Sequence, residues 1–225
     1  MKTSLPTDQQ GTFPDLTKRL FDEIIWGHTC LKIGKALAAA ADEDETLSGV
    51  SPIFFSAVSF SLAEAAQMCA AKLFDKKRGT ETIAWMLQEA DKHAGCFQAS
   101  PGEVRKEVEA ARNQLATIEP QVEAVLARRN KVLAHRDRET LIDPMLAEKV
   151  KLTISDLDRI FETVAHTINR FEKIYDGRET YPELLNWDDY KDVVDLIAKG
   201  QCADIREFES KYNTPWPGVR PRGCS

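Results

Sequence analysis

Eleven consecutive residues hold the densest chemistry of this chain: Arg128-Arg129-Asn130-Lys131-Val132-Leu133-Ala134-His135-Arg136-Asp137-Arg138. Five are basic, one is acidic and one is a histidine, in a chain of 225 residues with a formal net charge of -6. An arginine and a histidine a few residues apart suit cleavage of an RNA backbone. The histidine titrates near neutrality and can take a proton from a ribose 2'-hydroxyl. The arginine can hold the phosphate with two hydrogen bonds and stabilise the charge of the pentacoordinate transition state. Such a reaction requires no metal, and no cofactor is expected. The plain alternative is a basic helix end, because cations in a last turn complement the helix dipole.

A helix must present these residues. Val122, Val125, Leu126, Val132 and Leu133 recur every three or four positions, and Arg129 falls in the middle of that apolar stripe. Burying a guanidinium without an anion is costly, so the stripe must meet either a phosphate or an acidic side chain. Glu64, in an apolar helix upstream, is the candidate acid, and pairing with it would make the arginine structural. On an unbroken helix Arg129 and His135 lie roughly 120° apart, whereas Arg128 and His135 lie within about 20°. Arg128 therefore stands as the substitute for Arg129.

Composition narrows the setting. Hydrophobic residues make up 43% and charged residues 29%, the balance of an ordinary soluble globular protein. No secretion signal is recognised at the N-terminus, and a cytoplasmic location is expected. The acidic balance excludes a general nucleic-acid coat but leaves room for a small basic pocket. The five cysteines, Cys30, Cys69, Cys96, Cys202 and Cys224, show neither a disulfide framework nor zinc-ligand spacing, and no metal site is expected. There is no glycine-rich phosphate loop.

Along the chain, the first 13 residues read as a flexible segment. Pro14-Asp15 opens a long helix to about Ala41, with Gly27 and Gly34 on its stripe suggesting close helix-helix approach. Ser51-Pro52 begins an apolar helix to about Asp75, expected at the centre of a bundle and not across a membrane. Thr80 is expected to cap a shorter helix facing inward through Ile83, Met86, Leu87 and Ala90. A helix from Glu103 follows, and Pro120 either kinks it or starts the one carrying the basic motif. Thr153 or Ser155 caps the most amphipathic helix, which Gly177 closes. Beyond it, a small acidic helix reading Trp187, Tyr190, Val193, Val194 and Ile197 should stop at Gly200, with a short one around Asp204 to Tyr212. The sequence thus predicts an all-α chain: a bundle of about five helices over residues 14–176 with a small helical C-terminal appendage over 177–225. His28, His93 and His166 read as ordinary helix histidines.

The run Arg129 to His135 resembles the R-x(4–6)-H motif of HEPN domains (higher eukaryotes and prokaryotes nucleotide-binding), with a polar residue after the arginine. The text RNKVLAHRD resembles the abortive-infection AbiU-type branch, as does FFSAVSFSLAEAAQMCAAKLFDKKRGTETIAWML for its second and third helices. This resemblance spans roughly residues 14–176. It implies a HEPN-like helical bundle that dimerises, placing two motifs across a composite cleft. It also implies a metal-independent endoribonuclease and toxin of phage defence, acting on tRNA or mRNA, with Arg129, Asn130 and His135 as site residues. Arg128, Lys131 and Arg136 would then steer the RNA, and an antitoxin protein is a candidate partner. Two further readings stay open: a HEPN-like dimer that binds nucleotide, RNA or protein without chemistry, and a structural helical adaptor.

Overall fold

Caps and prolines set most helix boundaries here, and the described residues form seven α-helices, one 3-10 turn and no strand. In the computed structural model, residues 13–43, 52–77, 79–130, 151–180, 188–218, 220 and 224 are described. The helices are α1 (Phe13–Glu43), α2 (Pro52–Leu73), α3 (Ile83–Lys92), α4 (Pro101–Ala116), α5 (Glu119–Arg128), α6 (Ile154–Asp176) and α7 (Tyr190–Tyr212). The chain divides into two compact units, Met1–His28 with Glu64–Glu183 and Thr29–Ala63 with Leu184–Ser225.

In the first unit, α4 packs against α3 and α6, and α5 against α6. Its interior is filled by Leu20 and Ile24 of α1, Met86 of α3, Val104 of α4, and Phe161 and Phe171 of α6. Full burial of side chains this size contributes about 1.5–3 kcal/mol each. Gly27 explains how α1, α2 and α6 come so close. A Cβ at that position would stand 2.4 Å from Phe161 Cζ and 2.8 Å from Cys69 Cβ, so only a hydrogen fits.

Side-chain caps start α3, α4 and α6. The helix expected from Thr80 is capped instead by Thr82, whose hydroxyl accepts from the Trp85 N–H. Thr80 donates its hydroxyl to the Lys77 carbonyl and belongs to the preceding turn. Ser100 with Glu103, and Thr153 with Asp156, form reciprocal capping boxes. Those bonds hold both carboxyls below the usual carboxylate range. Pro120 does not kink the preceding helix: α4 ends at Ala116 and α5 begins at Glu119. Gly177 closes α6 at φ +82°, in the left-handed region glycine tolerates. Beyond it Thr180 is tied back to α6 by the Asn169 side-chain amide, whose Nδ2 donates to the Thr180 carbonyl and whose Oδ1 accepts the Thr180 N–H. The Glu172 carboxylate, 2% exposed, accepts hydroxyl hydrogen bonds from Thr17 at 2.8 Å and Thr180 at 2.7 Å.

In the second unit, α7 runs without interruption through Gly200, where the sequence reading expected a stop. A mid-helix glycine costs only about 1 kcal/mol, and termination awaits the left-handed Asn213 at φ +49°. After it the chain folds back onto α7: Trp216 stacks edge-on against Phe208 at 5.1 Å, and its backbone N–H donates to Glu209. Ile205 is the buried residue of this helix, while Val193 and Leu196 are exposed.

The helix α2 departs from the expected bundle centre. Ala66, Ala70 and Leu73 are fully buried, but Ile53 is 85% exposed and Phe54 and Phe60 are also exposed. By length and composition it is apolar enough to cross a membrane, with 22% of the tested window buried. Apolar composition alone did not reveal that only its later turns enter the core.

Candidate functional site

The basic motif is delivered by α5. Thr117 and Ile118 turn the chain out of α4, and Ile118, fully buried, fixes where the new helix starts. Val125, 1% exposed, anchors the middle of α5, with Val122 and Leu126 half-buried beside it. At Arg129 and Asn130 the helix opens into a π-type turn. Such turns insert an extra residue per turn and recur at functional positions. They also end the 100°-per-residue arithmetic, so an ideal projection no longer relates Arg128 or Arg129 to residue 135.

The two arginines face different partners. Arg128 donates from Nε to Gln67 Oε1 of α2 at 2.8 Å, and Gln67 is itself 9% exposed. Arg129 sets Nη1 3.1 Å from Asp75 Oδ2 and donates from Nε to Asn130 Oδ1 at 3.0 Å. The acid that meets the stripe is therefore Asp75, not Glu64. Its position just past α2, in the Leu-Phe-Asp that closes the apolar run, was the available clue. Sequence periodicity could not assign it, because a loop residue has no helical face.

Arg129 is neither sealed nor free. Its side chain is 19% exposed and that of Asp75 26%, so water screens the pair and it contributes on the order of 1 kcal/mol or less. Among the described residues, Nε and Nη1 account for two of its five N–H groups. Asn130 is exposed beside it. Lys131, His135 and Arg136 lie outside the described residues.

Asp75 also shapes the loop it belongs to. Its Oδ1 accepts the Lys77 N–H at 3.0 Å, and Thr80 N donates to the Lys77 carbonyl. Gly79, at φ +86°, supplies the left-handed step that closes this turn. The turn holds Lys76 and Lys77 outward and borders a hollow of about 590 Å³ whose lining includes Phe74, Trp85, Gln88 and Val122.

The other histidines have local roles. His28 Nε2 lies 3.8 Å from Asp158 and its ring lies 6.2 Å from that of Phe161. His93 caps α3 with Nε2 3.4 Å from Glu89, and His166 is exposed on α6. Among the described residues, no cluster of His, Cys, Asp and Glu is arranged to hold a metal ion.

A family model described as AbiU2, of the HEPN type, matches residues 12–196. No curated protein and no solved structure matches the chain.

Proposed function

From the fact that this chain belongs to the AbiU2 family of HEPN proteins, we propose that it is a metal-independent endoribonuclease of the abortive-infection type. The observation that carries the reading is the state of Arg129. The guanidinium emerges at a π-type turn, partly exposed, beside Asn130, with N–H groups beyond those that meet Asp75 and Asn130. Arg129 would clamp the scissile phosphate and stabilise the charge of the transition state. His135 would act as general base toward the 2'-hydroxyl, with Asn130 contacting the phosphate. Arg128, Lys131 and Arg136 would draw the RNA in, and a homodimer would bring two such motifs to one cleft.

The test is cleavage of tRNA or mRNA by purified protein in EDTA. The expected products carry 2',3'-cyclic phosphate and 5'-hydroxyl ends. Arg129→Ala and His135→Ala should each lower the rate at least 100-fold, within the range for loss of one general base or one charge-stabilising donor. Cleavage at the wild-type rate by the His135→Ala protein removes the proposed base.

The ion pair with Asp75 favours a second reading, in which the same surface binds RNA or a nucleotide without turnover. That protein would bind in a phosphate-dependent way and leave the RNA intact.

A further inference from the structure

The hollow beside Arg129 combines features that no helix end requires. Its volume of about 590 Å³ falls within the roughly 300–1,000 Å³ usual for ligand sites. Phe74, Trp85 and Val122 give it apolar and aromatic lining, and Lys76, Lys77 and Gln88 supply the polar edge. The two carboxylates at its border are already committed. Asp75 meets Arg129 and the Lys77 N–H, and Glu81 is held by the Nε and Nη2 of Arg19 in a two-pronged pair. Lys76 and Lys77 are exposed, and among the described residues no carboxylate pairs with either ammonium.

A neighbouring hollow on the same loop shows the contrast. It measures about 430 Å³ and shares Asp75, Thr80 and Glu81, but its cations are spent. Arg19 is bound to Glu81 and Lys72 to Glu23. Their pKa values are raised, chiefly by those hydrogen bonds. The first hollow, by contrast, sets Lys76 and Lys77, unpaired among the described residues, on the same lining as Phe74 and Trp85. A third, of about 340 Å³, continues it along α5, sharing Phe74, Lys76, Gln88 and Val122 and adding Arg112 and Leu126.

We propose that this hollow is the subsite for a nucleotide flanking the cleaved bond, with its base against Trp85 and its phosphate at Lys76 and Lys77. The proposal rests on the ribonuclease reading above and extends it to how substrate is held. A single-stranded segment fits this pattern better than a duplex, because stacking requires a base free of its partner. Stacking on an indole is tolerant of base identity, so the subsite would add affinity with little sequence preference. Asp75 ties this subsite to the catalytic arginine: it borders the hollow and stands 3.1 Å from Arg129.

The experiment uses a fluorescein-labelled RNA oligonucleotide carrying 2'-O-methyl groups throughout, which offers no attacking hydroxyl and can bind without being cut. Anisotropy across a salt series compares wild type with Trp85→Ala, Trp85→Phe and the Lys76→Gln, Lys77→Gln double variant. Trp85→Ala should weaken binding by about 5- to 150-fold, and Trp85→Phe should recover most of it. The lysine variant should reduce the slope of log Kd against log salt by about 1.4, two single-strand phosphate contacts. With cleavable RNA, the Trp85→Ala loss should appear in KM and leave kcat near wild type. Thermal melts identify any variant that fails to fold, and should Trp85→Ala do so, Trp85→Phe and the exposed lysine pair decide the matter. Wild-type affinity and slope in all variants overturn the subsite while leaving the ribonuclease reading intact. A wild-type protein that neither binds nor cuts RNA overturns both.

Discussion

At Arg129 a single side chain poses the functional question, and Asp75 supplies half of its answer. A guanidinium on an apolar stripe demanded an anion, and that demand was legible from residue spacing alone. Which anion was not, because Asp75 reaches it from a loop 54 positions earlier in the chain. On the proposed reading its carboxylate competes with the substrate phosphate for Arg129. Replacing it with an isosteric neutral group should therefore help the substrate, since the amide oxygen of Asn can still accept the Lys77 N–H. Asp75→Asn is expected to bind RNA up to about 5-fold more tightly, matching a partly exposed ion pair of at most about 1 kcal/mol. The advantage should shrink as salt rises. Weaker binding by the same protein would instead make Asp75 a residue that positions Arg129.

At the scale of elements, patterns of 3.6 residues identified where helices lie, and side-chain hydrogen bonds decided where α3, α4 and α6 begin. The inward face of α3 follows the expected residues, Ile83, Met86, Leu87 and Ala90, and α6, expected to be the most amphipathic helix, buries Leu157, Ile160, Phe161, Val164, Ile168 and Phe171 along one face. The misplacements have physical causes. Thr80 and Thr82 are equally good capping types, and only the turn geometry around Gly79 selects Thr82. Gly27 and Gly34 looked alike in sequence, yet the nearest side-chain atom to a Cβ at Gly34 is Leu62 Cβ at 3.9 Å, an ordinary contact. Gly27→Ala should consequently destabilise the protein by about 1–3 kcal/mol through overpacking against Phe161, despite alanine's better helix propensity. Gly34→Ala should be neutral or stabilising, with urea unfolding as the measurement for both.

The cap of α6 gives a pH-dependent counterpart. The hydroxyl and then the backbone N–H of Thr153 donate to Asp156 and lower its pKa. A carboxyl lowered on folding contributes fully above its unfolded value near about 4 and loses that contribution as pH falls through the folded one. Thr153→Ala should cost about 1 kcal/mol at neutral pH. The difference from wild type should narrow in acid below about pH 4, and a constant difference down to pH 2 would contradict this account.

For the molecule as a whole, the all-α class and the HEPN-type AbiU family were both accessible from sequence, because helix order and a short polar motif survive without any tertiary information. Burial along α2 was not accessible, since Ile53 and Leu73 are equally apolar letters with opposite surroundings. Burial does make a chemical prediction across the chain. Cys30 and Cys69 are enclosed, and burial pushes the Cys30 thiol up, away from its reactive anion. A thiol reagent at neutral pH should label Cys96 and Cys224 in the native protein, label Cys202 more slowly because its hydrogen bond with Cys224 raises its pKa, and reach Cys30 and Cys69 only as fast as the fold opens. Immediate labelling of Cys30, followed by mass spectrometry, would contradict the core described here.

Asp75 divides its two oxygens between Arg129 and the Lys77 amide. On the proposed reading, a ligand that draws the guanidinium away frees one oxygen of Asp75, while the other still braces the turn that carries the lysines. By thermodynamic reciprocity, filling the lysine turn then changes affinity at the arginine by the same factor as the reverse. Coupling between the two halves of the proposed surface would pass through this one shared carboxylate, and substituting it should remove that coupling.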